Sequence, residues 1–156
     1  MPFLIKALKK FNSIHEHKLT LAITCARNAF SNNITADKYI KPLGYVRDED
    51  LGVLYSQSLA LVQPSLIEGF GLTGLEAMIN NAPVLSSNAT CLPEIYADAA
   101  LYFDPKDEDD LINKIEQILT NAKLRQDLIE KGKIRVKQFS WYKTAKQTLK
   151  IYEKKS

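Results

Sequence analysis

The sequence predicts an α/β fold: a Rossmann-like, doubly wound parallel sheet with helices on both faces. Three observations predict it. Short apolar, β-branched runs alternate with segments of helical periodicity, the pattern of right-handed βαβ units. Leu59-Ala60-Leu61-Val62 is apolar without alternation, as a strand buried on both faces must be. The 156 residues are 46% hydrophobic and 25% charged, which suits one globular domain and not a disordered tail or a disulfide miniprotein.

The elements follow in order. Pro2 to about Ile14 places Phe3, Leu4, Ala7, Leu8 and Phe11 on one helical face, and Pro2 suits a first helical position. Lys18 to Thr24 is β-branched and apolar, hence a strand. Residues 25–38 are polar and irregular and carry no clear element. Lys41 to Val46 reads as a short strand. Asp48-Glu49-Asp50 then opens a helix, because carboxylates favour the positive end of the helix dipole. The strand 59–62 ends at Gln63-Pro64-Ser65, residues 66–71 form a loop, and Leu72 to Asn80 is a helix. Pro83 to Ser86 is the next strand, Leu92 to Ala97 a helical turn, and Ala100 to Phe103 another strand. Three apolar stripes then predict helices to the end: Leu111 to Leu119, from Leu124 through Ile129, and Trp141 to Tyr152.

Charge is segregated. Residues 1–47 carry 8 basic and 2 acidic side chains, residues 48–110 carry 1 and 12, and residues 111–156 carry 12 and 4. An acidic middle argues against nucleic acid as a partner, since such binders carry a sustained basic stripe. No apolar run nears the roughly 20 residues that span a bilayer. Met1–Lys10 is interrupted by Lys6 and does not read as a secretory signal. Cys25 and Cys91 stand far apart and read as reduced thiols, giving a cytoplasmic expectation. The triplets Asn33-Ile34-Thr35 and Asn88-Ala89-Thr90 then count as chance glycosylation matches.

Ligands of doubly wound sheets bind beyond the carboxyl ends of the strands, so the loops after Val62 and Ser86 are the candidate site. Pro64 to Met78 reads PSLIEGFGLTGLEAM. Gly69 and Gly71 allow a tight turn and close approach of a ligand. The following helix directs free N–H groups at that ligand, which favours phosphate. Glu68 and Glu76 lie eight residues apart, one on the loop and one a turn inside the helix. Carboxylates so placed can accept hydrogen bonds from sugar hydroxyls. The plainer alternative is a buried strand–turn–helix, with Glu68 capping the helix and Glu76 on a solvated face. On spacing alone the two stand level.

PSLIEGFGLTGLEAM, with its Glu68 and Glu76 pair, resembles the retaining GT-B glycosyltransferases of family 4, glycosyl transferases group 1. LGYV at 43–46, DEDLGVLYSQS, PVLSSN, LPEIYADAALYFDP and FSW at 139–141 follow the same order. The resemblance covers about 40–156 closely and 3–24 loosely. It implies a donor-binding half-domain of a hexose-type transferase that retains anomeric configuration and serves a glycan or lipid-linked acceptor in polysaccharide biosynthesis. It implies that Glu76 binds the ribose hydroxyls of a nucleotide-diphosphate sugar and that Glu68, as the catalytic carboxylate, faces the donor sugar. The backbone of Gly69, Phe70, Gly71 and Leu72 would contact sugar and diphosphate, with Thr73 adding a hydroxyl. It implies no cofactor beyond the donor substrate and no metal, and no His/Cys/Asp cluster has metal-ligand spacing.

The chain departs from that family at its start. The family's domain begins with a further strand and a glycine loop ending in Arg and Lys, ahead of the helix equivalent to Pro2–Ile14. Lys6 and Lys9 lie within the helix and do not replace those cations. The reading is therefore one domain over 1–156, truncated at its N-terminal edge and lacking the acceptor domain, so that the chain alone is inactive. Whether it is a cut piece, a truncated frame or half of a split enzyme stays open. A missing central strand exposes a sheet edge, which predicts self-association. Asn80-Asn81 replaces a glycine at the end of a helix, and asparagine tolerates the left-handed cap.

Other residues take lesser weights. A reach of Arg27 toward phosphate is the less favoured reading of that residue. His15-x-His17 reads as a solvated helix end before it reads as a metal site. Glu94 would cap the short helix. The lysine-rich last helix reads first as a surface helix packing back across the sheet. An anionic membrane surface is the second reading. Gly69, Gly71 and Gly74 have dinucleotide-fingerprint spacing, but no Asp or Glu closes a following strand, so a nicotinamide oxidoreductase is a remote rival. The nearer rival is a non-catalytic nucleotide-sugar-binding or interaction module.

Overall fold

The computed structural model describes residues 2–24 and 36–154. Cys25, Arg27, the Asn33-Ile34-Thr35 triplet and Lys155 lie outside the described residues. The described chain is an α/β domain of seven helices and five strands.

The helix α1 (Pro2–Ile14) turns Leu4, Ala7, Leu8 and Phe11 inward, as its periodicity predicts. Its one buried polar side chain is tied in both directions. Asn12 Nδ2 donates to the Leu19 carbonyl (2.8 Å), and Leu19 N donates to Asn12 Oδ1 (2.9 Å). That pair fixes how the chain leaves α1 for β1 (Leu21–Thr24). β2 (Ile40–Gly44) runs parallel to β1. α2 (Asp48–Gln57), with three acidic residues in its first turn, leads to β3 (Leu61–Gln63).

A second parallel sheet has the order β3–β4–β5, with β4 (Val84–Ser87) central and β5 (Ala100–Phe103) at its side. All four residues of β4 are buried, the mark of a strand covered on both faces. The helices α3 (Leu72–Ile79), α4 (Leu92–Tyr96) and a 3-10 turn (Ala97–Ala99) connect these strands. On one face Leu61, Val84 and Ala100 pack with Tyr55 of α2, Leu75 and Met78 of α3, and Leu92 and Tyr96 of α4. On the other, Leu85 and Phe103 pack with Phe11 of α1 and with α5 (Glu108–Thr120) through Leu111, Ile115 and Ile118. Two-sided coverage is what a parallel sheet requires.

Asp107 caps α5 by accepting from Asp109 N and Asp110 N, and Asn121 caps α6 (Ala122–Val136) by accepting from Leu124 N. Asn81 takes φ 60°, so asparagine does supply the left-handed turn before β4. The strand expected at 59–62 starts two residues later and ends one later, because its ladder with β4 begins at the Leu61 N to Pro83 O bond.

Two lesser expectations are corrected. Glu94 makes no cap hydrogen bond: the N-cap of α4 is Cys91, which has no side-chain cap hydrogen bond. The last helix, α7 (Trp141–Glu153), does not pack back across the sheet: none of its residues is buried, and Trp141 is 79% exposed. Its apolar stripe finds no facing surface among the described residues. His15 stacks its ring on Phe11 at 3.9 Å. Among the described residues no helix is long and apolar enough to cross a membrane.

Candidate functional site

The loop leaving β3 reverses the chain at the carboxyl edge of the sheet. Gln63 is the last residue of β3 and is buried. A buried amide needs partners, and Gln63 has them on both sides. Tyr96 Oη donates to Gln63 Oε1 (2.5 Å), and Gln63 Nε2 donates to Glu68 Oε2 (3.1 Å). Ser65 Oγ donates to the same Glu68 oxygen (3.4 Å), and Gly69 N donates to Oε1 (3.2 Å). The backbone of Glu68 is anchored too. Its N–H donates to Thr90 Oγ1 (3.2 Å), while Thr90 Oγ1 (3.4 Å) and Cys91 Sγ (3.2 Å) donate to its carbonyl. Ser87 Oγ donates to the Ser65 carbonyl (2.6 Å), binding the loop to β4. Glu68 is thus a half-buried carboxylate held by donors on both oxygens, on a loop whose neighbour Ile67 is 85% exposed.

Gly71 ends this loop and starts α3. Its φ of 95° is left-handed, and a Cβ there would lie 2.5 Å from Tyr96 Oη and 2.7 Å from Leu92 Cδ2. Both constraints select glycine. A Cβ on Gly74 would meet Tyr96 Cζ at 2.3 Å. Tyr96 Oη shares its one proton with the Gly71 carbonyl (2.7 Å), so one buried phenol joins β3, the loop and α3. Burial pushes the pKa of that phenol upward. With glycine at the N-cap, no side chain covers the first turn of α3. The amides of Leu72 and Thr73 therefore remain available to an anion at the positive end of the helix.

Glu76 stands one turn further along α3, on its exposed side. Tyr55 Oη of α2 donates to Glu76 Oε2 at 3.4 Å. Burial, then the Glu76 charge, pushes the Tyr55 phenol up to about 12. Leu72 and Thr73 are exposed on the same turn. Phe70 is exposed but braced edge-on against Phe139 at 5.6 Å, and Arg135 lies over the Phe139 ring at 5.1 Å. Gly69 has open space where a Cβ would be, so its need for glycine is not steric.

The predicted residues therefore fall on one rim. Gly69, Phe70 and Gly71 carry the turn from Glu68 into α3, which presents Leu72, Thr73 and Glu76. Glu68 does not cap α3; its carboxylate turns back to Gln63, Ser65 and Gly69. Gln63, Tyr55, Thr90 and Tyr96 were not singled out by sequence. The one local signal was a glutamine closing an apolar strand; the others lie 21 to 33 residues from the group they hold. Among the described residues no group of three His, Cys, Asp or Glu could hold a metal ion.

Known proteins match this chain closely. The glycosyl transferases group 1 family profile matches residues 3–135. The O-antigen chain mannosyltransferase B of Escherichia coli is 44% identical over 119 residues, covering 76% of this chain and 31% of that protein. The MMP alpha-(1->4)-mannosyltransferase of Mycolicibacterium hassiacum is 35% identical over 111 residues, covering 69% and 27%. The chain thus spans well under half the length of the curated relatives it matches, from 12% to 40%. In fold, Anabaena HepE, solved in complex with UDP, aligns with TM-score 0.79 at 18% identity, over 99% of this chain and 45% of that one. Sucrose-phosphate synthase of Thermosynechococcus elongatus aligns with TM-score 0.81 at 24% identity, over 97% and 41%.

Proposed function

The chain belongs to the glycosyl transferases group 1 family, and on that premise we propose that it is the donor-binding domain of a retaining transferase. The observation that carries this reading is the pinned Glu68 carboxylate beside an uncapped α3 N-terminus, with Glu76 one turn away. The donor is a nucleotide-diphosphate sugar. Glu76 accepts from the ribose hydroxyls. The α3 dipole and the Leu72 and Thr73 amides hold the diphosphate, and their charge stabilisation grows as that group departs. Glu68 faces the sugar. Its three donors keep its oxygens in place, so no reorganisation is needed when charge develops at the anomeric carbon.

The names of the relatives favour a mannosyl donor and a growing polysaccharide, glycan or lipid-linked, as acceptor. An acceptor-binding domain would complete the cleft, and the isolated chain would transfer nothing by itself. Neither metal nor cofactor enters this reading. The location is cytoplasmic.

An amide-shift titration with UDP, GDP, ADP and NAD tests it. The expected result is saturable shifts over Gly69–Glu76 with one nucleoside diphosphate, lost in Glu76→Ala. Silence of those amides at millimolar concentrations of every nucleotide overturns the donor site.

A further inference from the structure

The turn that follows β4 holds a side chain on a backbone that does not suit it. Asn88 N donates to the Phe103 carbonyl (3.0 Å), so the chain stays beside β5 for one residue past the strand. It then reverses, and Leu92 N donates to the Ala89 carbonyl (3.3 Å). The central residues of that turn are Thr90, with φ 52°, and Cys91, with φ −81° and ψ −9°. A positive φ followed by a residue of this kind is the pattern of a type II′ turn, whose first central position favours glycine. A β-branched side chain is an outlier there.

The hydroxyl accounts for the threonine. A hydroxyl can accept and donate at once, and Thr90 Oγ1 does both to a single residue. It accepts from Glu68 N (3.2 Å) and donates to the Glu68 carbonyl (3.4 Å). Cys91 Sγ, next in the turn, donates to the same carbonyl (3.2 Å). Among the described residues, the other hydrogen bonds of Glu68 all go to its carboxylate. Gln63, Ser65 and Gly69 thus restrain the carboxylate, and the turn after β4 restrains the peptide that carries it. Glycine at 90 would fit the turn and leave that peptide free. Threonine strains the turn and fixes it. Strain kept in this way clusters where geometry serves function.

We propose that Thr90 is a positioning residue for Glu68: it keeps a glycine-type backbone so that its hydroxyl clamps the Glu68 peptide and sets where the carboxylate stands. The consequence for ligand rests on the donor-site reading above; the clamp itself does not.

The test compares the original chain with Thr90→Ser, Thr90→Ala and Thr90→Gly. Serine keeps the hydroxyl. Alanine loses it on a strained backbone, and glycine loses it while relieving the strain. Exchange of the Glu68 amide should follow the hydroxyl: close to the original in the serine variant, and about fivefold faster in the other two, as the loss of one hydrogen bond implies. Tm should follow the backbone instead, with the glycine variant melting above the alanine one. GDP and GDP-mannose are then titrated. The alanine and glycine variants should weaken GDP-mannose and not GDP, and serine should restore it. Unchanged Glu68 exchange in the alanine and glycine variants overturns the proposal. So does exchange that ranks with Tm across the four chains, the mark of a merely structural role. GDP-mannose binding left intact by both variants overturns it as well. Silence of both ligands on the original chain counts against a guanosine mannosyl donor, and exchange and Tm still decide the clamp.

Discussion

The Glu68 loop and the Glu76 face of α3 offer the same chemical group in opposite states of restraint. Glu68 has donors on both carboxylate oxygens and three more contacts on its own backbone. Glu76 has one long bond from Tyr55 and is otherwise open to solvent. A fixed carboxylate suits a role where a fraction of an ångström matters, near a reacting centre. A free one suits the capture of hydroxyls whose position the ligand brings with it. The difference lies in the supports. Gln63 and Tyr96 are buried and hydrogen-bonded to each other, while the Glu76 side chain has only Tyr55 of α2.

The largest break in this contrast is Gly74→Ala. Its Cβ would land 2.3 Å from Tyr96 Cζ, and moving Tyr96 loosens Gln63, one of the donors to Glu68. Overpacking of this kind costs about 3 kcal/mol, read as a fall in Tm of roughly 6–12 °C. Gln63→Leu is milder. Tyr96 keeps its bond to the Gly71 carbonyl, so the loss is about 1–2 kcal/mol. Thermal unfolding measures it, and exchange at the Gly69 amide should speed up as the loop loosens.

A pH series sharpens the Glu76 side. The Tyr55 phenol is raised from its usual value of 10 to about 12, as is Tyr102. A raised phenol pKa means that the folded state holds the proton more tightly. Its stabilisation is complete below pH 10 and is lost as pH rises through about 12. Denaturant midpoints should therefore fall over that window, and less steeply in Tyr55→Phe. At the small end, Trp141→Ala on the uncovered α7 should shift stability by no more than about 0.5 kcal/mol.

Much of this was legible in the sequence. All five strands and seven helices fall where periodicity and punctuation put them, to within a few residues. Gly71 was readable because a tight turn into a helix needs a left-handed residue. The support of Glu68 was not, because Gln63, Thr90 and Tyr96 meet it only through the β3–β4–β5 order.

The division of labour between the carboxylates is tested most directly by titrating Glu68→Gln and Glu76→Gln with a nucleoside diphosphate and with its mannose conjugate. Losing a charged hydrogen bond costs about 1.5–3 kcal/mol, so each loss should weaken binding by at least about tenfold. Glu76→Gln should weaken both ligands alike, and Glu68→Gln only the mannose conjugate. Equal effects of the two variants on both ligands would contradict separate roles.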